Sequence, residues 1–277
     1  MSVAETAPGR VGRDGALRLV FERRGAATVL AGCRSTLPLQ VLAPVALDDP
    51  AAVVSMLNPT GGVLGGDRLT VELDLGPGAH ACLTTPSATR VYRSSGAPAV
   101  QTVHARLAPG AVCEWVPEHT IPSPAAILEQ ALTFEVGDGA TLIAVDAWAA
   151  GRVARGEAWS FTRLASTLSV RDAVGLVLHD RFVLEAGGRW GALGFAEGHP
   201  YFASVVVVTD APLGDFLDAL RPVSDDARVG AARLPRRGAV VRCLARGAPA
   251  LTSTLEAVWT LARRTLLAAA PLALRKC

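Results

Sequence analysis

Lysine is almost missing from this chain of 277 residues: of 27 basic residues one, Lys276, is a lysine and the rest are arginine. With a formal net charge of +2 there is no general electrostatic pull toward nucleic acid or an acidic membrane surface. The arginine excess reads as the imprint of an Ala- and Arg-rich genome rather than as a set of anion clamps. Cysteine is scarce and scattered: Cys33, Cys82, Cys113, Cys243 and Cys277 are odd in number and form no C-x-x-C, which excludes a disulfide framework and a thiolate zinc site. The five histidines (80, 104, 119, 179 and 199) show no H-E-x-x-H or other paired ligand spacing. Long apolar runs are also lacking. The stretch Leu266 to Leu274 is too short to span a bilayer and is broken by Pro271. The first residues include Glu5, Arg10, Arg13 and Asp14 without an apolar stretch, so no secretory signal is expected and the chain reads as soluble and cytoplasmic.

What is present is apolar and turn-rich. Half the residues are hydrophobic, 19% are charged, and there are 27 Gly and 18 Pro, which rules out a disordered chain and allows a sizeable core in a single domain over residues 1–277. Period-two alternation dominates the first two thirds. Leu69, Val71, Leu73 and Leu75 alternate with Thr70, Glu72 and Asp74; Val103, Ala105 and Leu107 do the same, as do Leu132, Phe134 and Val136, and Leu164, Leu168 and Val170. Such alternation predicts half-buried strands.

A weak repeat links them. Leu75-Gly-Pro-Gly-Ala79, Leu107-Ala-Pro-Gly-Ala111 and Val136-Gly-Asp-Gly-Ala140 start 32 and then 29 residues apart, each joining an alternating strand to a second apolar one. Regular two-strand units predict a mainly β body in a layered or solenoid-like arrangement. The last quarter differs: Ala203 to Val208 and Val240 to Leu244 read as strands. Asp210 could cap a helix through Leu220, and Ser253 with Glu256 has capping-box spacing for a helix ending before Pro271. Arg221 to Gly238, rich in charge, Gly and Pro, reads as a loop.

The densest motif is Asn58-Pro-Thr-Gly-Gly-Val-Leu-Gly-Gly-Asp67. It lacks the Gly-Lys-Ser/Thr of a phosphate loop, and Val63 stands where G-x-G-x-x-G needs glycine. Its glycines fit a tight backbone crossing; its terminal Asp67 is not accounted for by that. Two more carboxylates break their pattern. Asp146 falls on the face of Leu142, Ala144 and Trp148, and Asp180 on that of Leu176, Leu178, Phe182 and Leu184, with His179 and Arg181 opposite. An inward carboxylate must find an arginine, a metal ion or internal water. No G-x-S-x-G elbow occurs, Thr84-Thr85 and Ser94-Ser95 read as turn or ladder hydroxyls, and Glu118-His119 and His179-Asp180 would face apart in strands. Catalysis is disfavoured; the alternative is a β-solenoid hydrolase using Asp146 and Asp180 as an acid/base pair.

The motifs together resemble those of a known family. Asn58 to Asp67 is similar to the signature of the urease accessory protein UreD (UreH) family. In the same order, Thr85 to Gly96 (TPSATRVYRSSG) resembles its T-x-x-A-[ST]-[KR]-x-Y-R-S segment, Leu107 to Ile121 its L-x-x-x-A-x-x-E-W-x-P-x-x-x-I stretch, and Gly151-Arg152 with Gly156-Glu157 its G-R-x-x-x-G-E element. The likeness covers roughly residues 16–265. Arg68 departs from a position that is often acidic in the family, and Leu274 to Cys277 from its usual ending. The resemblance implies a mostly β fold with a pair of helices. It implies a non-catalytic scaffold that binds a UreF-like protein, recruits a UreG-like GTPase and docks on apo-urease while nickel passes through. On that reading Asp67, Asp146 and Asp180, with Glu157 as a weaker addition, line a transient nickel path. Few oxygen ligands suit an ion that must be released again, and no tightly bound cofactor is expected. Tyr92, Arg93 and Trp115 would be partner contacts or structural supports.

Overall fold

The computed structural model describes residues 13–44, 49–222 and 224–274. Two large sheets lie face to face, and the middle of the chain winds between them. Arg68–Leu75, Ala99–Leu107, Ile127–Val136 and Arg163–Asp172 are parallel neighbours in the first sheet. After three of these a turn carries the chain to the second sheet, where His80–Thr84, Val112–Trp115 and Thr141–Ala149 also pair in parallel. The first sheet is completed by Asp14–Arg24 and Ala27–Thr36 at one edge and Gly175–Glu185 at the other. The second gains Tyr201–Val208, Ala239–Ala245 and Ala227–Arg233 on one side, and Ala52–Leu57 and Gln40–Val41 on the other. This is the mainly β, solenoid-like body that the repeat predicts.

The repeated turns explain the winding. The Ala79 N–H bonds the Gly76 carbonyl, Ala111 that of Ala108, and Ala140 that of Gly137, each closing a four-residue turn. The third residue has φ of 65° at Gly78, 68° at Gly110 and 66° at Gly139, a value glycine adopts without steric cost. Because the turns stack, the strands stay in register. Leu19, Leu73, Ala105, Phe134 and Val170 form one buried row across five strands.

Two helices follow, α1 (Gly214–Ala219) and α2 (Ala248–Leu266). The latter lays Leu251, Val258, Trp259, Ala262 and Leu266 on the outer face of the second sheet, in a core that holds Ile143, Val205 and Val241. None of the helices among the described residues is long and apolar enough to cross a membrane. Among the described residues no cysteine is in a disulfide. Cys277, Lys276 and the altered ending from Arg275 onward lie outside the described residues.

Several local expectations fail for local reasons. Asp210 does not cap α1; it pairs with Arg237 at 2.8 Å, and the helix starts at Gly214. Helix α2 starts at Ala248 rather than after Ser253, because Pro249 tolerates the first turn, where no N–H partner is needed. Ser253 Oγ instead donates back to the Pro249 carbonyl at 2.9 Å. The supposed loop Arg221 to Gly238 contains the edge strand Ala227–Arg233, whose charged ends and small middle suit a strand paired on one side only. A bulge between Val170 and Arg171 of the neighbouring strand turns Leu176 outward, to 48% exposure, and buries Val177 in its place.

Candidate polar site between the sheets

Asp146 lies on the inner face of the second sheet with Leu142, Ala144 and Trp148, as the alternation predicts. Its partner is not an arginine. Oδ1 accepts the Trp148 indole N–H at 2.7 Å and the Gln130 amide at 2.9 Å, and Oδ2 accepts the Ser166 hydroxyl at 2.9 Å. Gln130 and Ser166 come from facing strands of the first sheet, in direct register. Burial pushes the carboxyl up to about 6 despite these three bonds, which lower it; the charge of Asp180 adds to the rise. Asp146 therefore changes protonation close to neutrality.

Asp180 meets the other expected fate. The Arg242 guanidinium grips it with both arms, Nη1 to Oδ2 at 2.6 Å and Nη2 to Oδ1 at 2.8 Å. That leaves neither oxygen free as a general base. His179 points the other way, its ring against Ser169 Oγ at 2.9 Å.

A cavity of about 230 Å³ is lined from both sheets and the glycine loop, with Asn58, Thr85, Arg90, Gln101, Gln130 and Asp146 among its wall residues. Trp115 is buried in its wall. Asp67 is buried at the base of the glycine loop, where its oxygens accept the Arg13 N–H at 2.9 Å and the Leu64 N–H at 2.8 Å. It ties the first strand to the loop and does not join Asp146. Glu157 also stands apart, bound bidentately by Arg152 at 2.5 and 2.9 Å, in a surface cleft with Tyr92 and Arg93.

The four sequence motifs form one stack at a corner of the solenoid. Val63 pairs with Val91, Thr120–Pro122 with Thr89–Val91, and Arg93 with Ala126. The Ala126 carbonyl receives the Thr162 N–H, just past the Gly151–Arg152 and Glu157–Ala158 ribbon. Gly62 is required here: a Cβ would stand 2.5 Å from the Arg90 carbonyl oxygen. The Tyr92 hydroxyl donates to the Gly61 carbonyl at 3.3 Å, and the Thr84, Thr85 and Ser94 hydroxyls donate to backbone carbonyls.

A model of the family described as UreD urease accessory protein matches residues 13–276. The chain belongs to the UreD family. It is 36% identical to the urease accessory protein UreD of Delftia acidovorans, over 88% of this chain and 87% of the relative. It is 36% identical to that of Alkalilimnicola ehrlichii, over 96% and 91%, and 35% identical to that of Deinococcus radiodurans, over 97% and 96%. Membership of the UreD family supports a role in urease maturation.

One group is marked in the sequence only as a motif position, with no sign of its partners. Glu114, at the centre of the third UreD-like motif, is 0% exposed and accepts from His80 Nε2 at 2.6 Å, from the Trp259 indole at 2.5 Å and from Arg263. Arg263, also 0% exposed, reaches Asp49 at 2.5 Å with its other arm. Burial alone would raise the Glu114 carboxyl, but the His80 bond and charge, the Arg263 guanidinium and the Trp259 bond together hold it below its ordinary value. This knot fastens α2 to the second sheet. Its members lie up to 214 residues apart, so no local pattern marks it. Glu118 and His119, expected to face apart, lie between strands with His119 Nδ1 at 3.7 Å from Glu118 Oε2. Among the described residues no three His, Cys, Asp or Glu side chains converge as a metal cage. Burial pushes the Cys243 thiol up to about 12, and burial with the Glu114 charge raises Cys113 further, so neither is a thiolate near neutral pH.

Proposed function

We propose that this chain is a non-catalytic urease maturation factor. It joins a UreF-like protein and a UreG-like GTPase to apo-urease in the cytoplasm, and nickel travels between its sheets by way of Asp146. The observation that carries the passage is the cavity between the sheets, lined by a carboxylate whose hydrogen-bond donors are all neutral. A divalent ion there would meet an anion with no arginine to displace, and two exchangeable neighbours, Gln130 and Ser166. Isolated oxygen ligands bind nickel weakly enough to release it, which suits cargo better than a thiolate or imidazole cage. Asp180, near enough for its charge to act on Asp146, is the next carboxylate on this reading. Asp67 and Glu157, engaged elsewhere, take a structural part in the scaffold.

The test is reconstitution. Apo-urease, the UreF-like and UreG-like partners, GTP and nickel are combined with the wild-type chain or with Asp146→Ala, and urease-bound nickel is measured. The variant should co-purify with its partners yet load less nickel. Undiminished loading by an Asp146→Ala/Asp180→Ala double variant rejects the passage; failure of the wild-type chain to co-purify rejects the joining role.

A further inference from the structure

Asp146 lines the cavity, and a cation outside that lining, Arg242, stands in the same row of the second sheet. Asp146, Ser204 and Arg242 occupy facing positions on three adjacent strands of the second sheet, so they form one row on its inner face. Arg242 Nη1 touches Ser204 Oγ as well as Asp180, and Ser204 Oγ lies 3.5 Å from the same Asp180 oxygen. Solvent is close on the far side: the Arg242 side chain is 52% exposed and that of Asp180 24%. The sequence of groups from the cavity outward is therefore Asp146, Ser204, the Asp180–Arg242 pair, and water.

We propose that Arg242 is a built-in counter-cation that closes the outer end of the passage, and that a divalent ion crosses this end by displacing the guanidinium from Asp180. The inference rests on the nickel-passage reading above. Without an ion, two inward carboxylates sit near each other, and the guanidinium supplies a compensating charge that the neutral donors on Asp146 do not. The fork occupies both Asp180 oxygens, so an ion and Arg242 exclude one another there. The pair is half in solvent, where such pairs are weak, and it can open reversibly. An entering ion gains from its second charge what a monovalent ion does not, which biases the exchange toward divalent cargo. When the guanidinium swings out it loses little, since its exposed side is already hydrated.

The proposal predicts a gain rather than a loss. In the reconstituted complex, nickel loading of apo-urease is measured against nickel concentration for the wild-type chain, Arg242→Gln, Arg242→Lys and Asp146→Ala. Removing the competing cation should lower the half-saturating nickel concentration several-fold in Arg242→Gln. Arg242→Lys, which keeps the charge but loses the fork, should fall between. Structural damage moves this quantity the other way, and co-purification with the partners checks assembly. Identical half-saturation in all three Arg242 forms, with Asp146→Ala still impaired, overturns the counter-cation role and leaves the passage standing. If Asp146→Ala loads normally, the passage reading itself fails and this one with it. Should Arg242→Gln not fold, an unchanged half-saturation in folded Arg242→Lys overturns the proposal.

Discussion

Among single residues, Asp146 and Arg263 show two ways to bury charge. Asp146 is held by three neutral donors, and its carboxyl stands at about 6. The folded chain therefore keeps a proton that the unfolded chain releases near pH 4, and stability falls as pH rises between those values. Asp146→Asn removes that penalty. Urea unfolding should find it about 1–3 kcal/mol more stable than wild type near pH 7, with the difference gone below about pH 4. Equal stability of the two chains at pH 7 would show that the carboxylate is better solvated than its surroundings suggest. Arg263 is the opposite case, a cation shared by Glu114 and Asp49 with no solvent in reach. Arg263→Leu strands two acids and should cost about 3–5 kcal/mol in denaturant unfolding. Adding Glu114→Gln to that variant should recover part of the loss.

Individual elements repeat that division between local and distant causes. The strands of the first sheet are readable because one face of each meets the second sheet and the other meets water, as in Leu69, Val71, Leu73 and Leu75. The ends of the helices were not. Ser253 and Glu256 match a capping box as text, yet apolar contacts from Leu251 to Leu266 extend α2 toward its N-terminus through Pro249. The edge strand Ala227–Arg233 was hidden by composition, since a strand with one partner and one bare side needs few apolar residues. The glycine loop has its reason in a neighbour: Gly62 presses on Arg90. Gly62→Ala should loosen the motif stack at a cost of about 1–3 kcal/mol. Hydrogen exchange should then quicken at the Val63 and Tyr92 amides, which close the bridge between the two segments; protection as in wild type would refute the close-approach account.

For the molecule as a whole, the order of coils is what gives the site its walls. The first strand inserts beside Arg68–Leu75 and buries Leu17, Leu19 and Phe21, all at 1% exposure or less. A chain shortened to begin after Thr36 should lose those three anchors and leave the edge of Arg68–Leu75 bare, so it should aggregate on expression. Sedimentation of such a chain as a folded, monodisperse species would mean that the winding core stands without its first hairpin. The candidate site depends on this architecture more than on any motif. Gln130, Ser166, Ser204 and Arg242 carry no signature in the sequence, yet they surround the two acids that did stand out.

The sequence by itself determined that the chain is mainly β, that its strands come in repeated pairs, that Asp146 and Asp180 face inward, and that the four motifs are those of the UreD family. Each of these follows from spacing along the chain, which period-two geometry and turn chemistry translate directly. Only the tertiary structure decided which inward acid meets an arginine and which meets neutral donors, and that Glu114 lies in a buried knot. It alone brought the motifs into one corner. Those outcomes depend on the register between strands and on which strand neighbours which, and these are set by the packing of the two sheets across residues far apart in sequence.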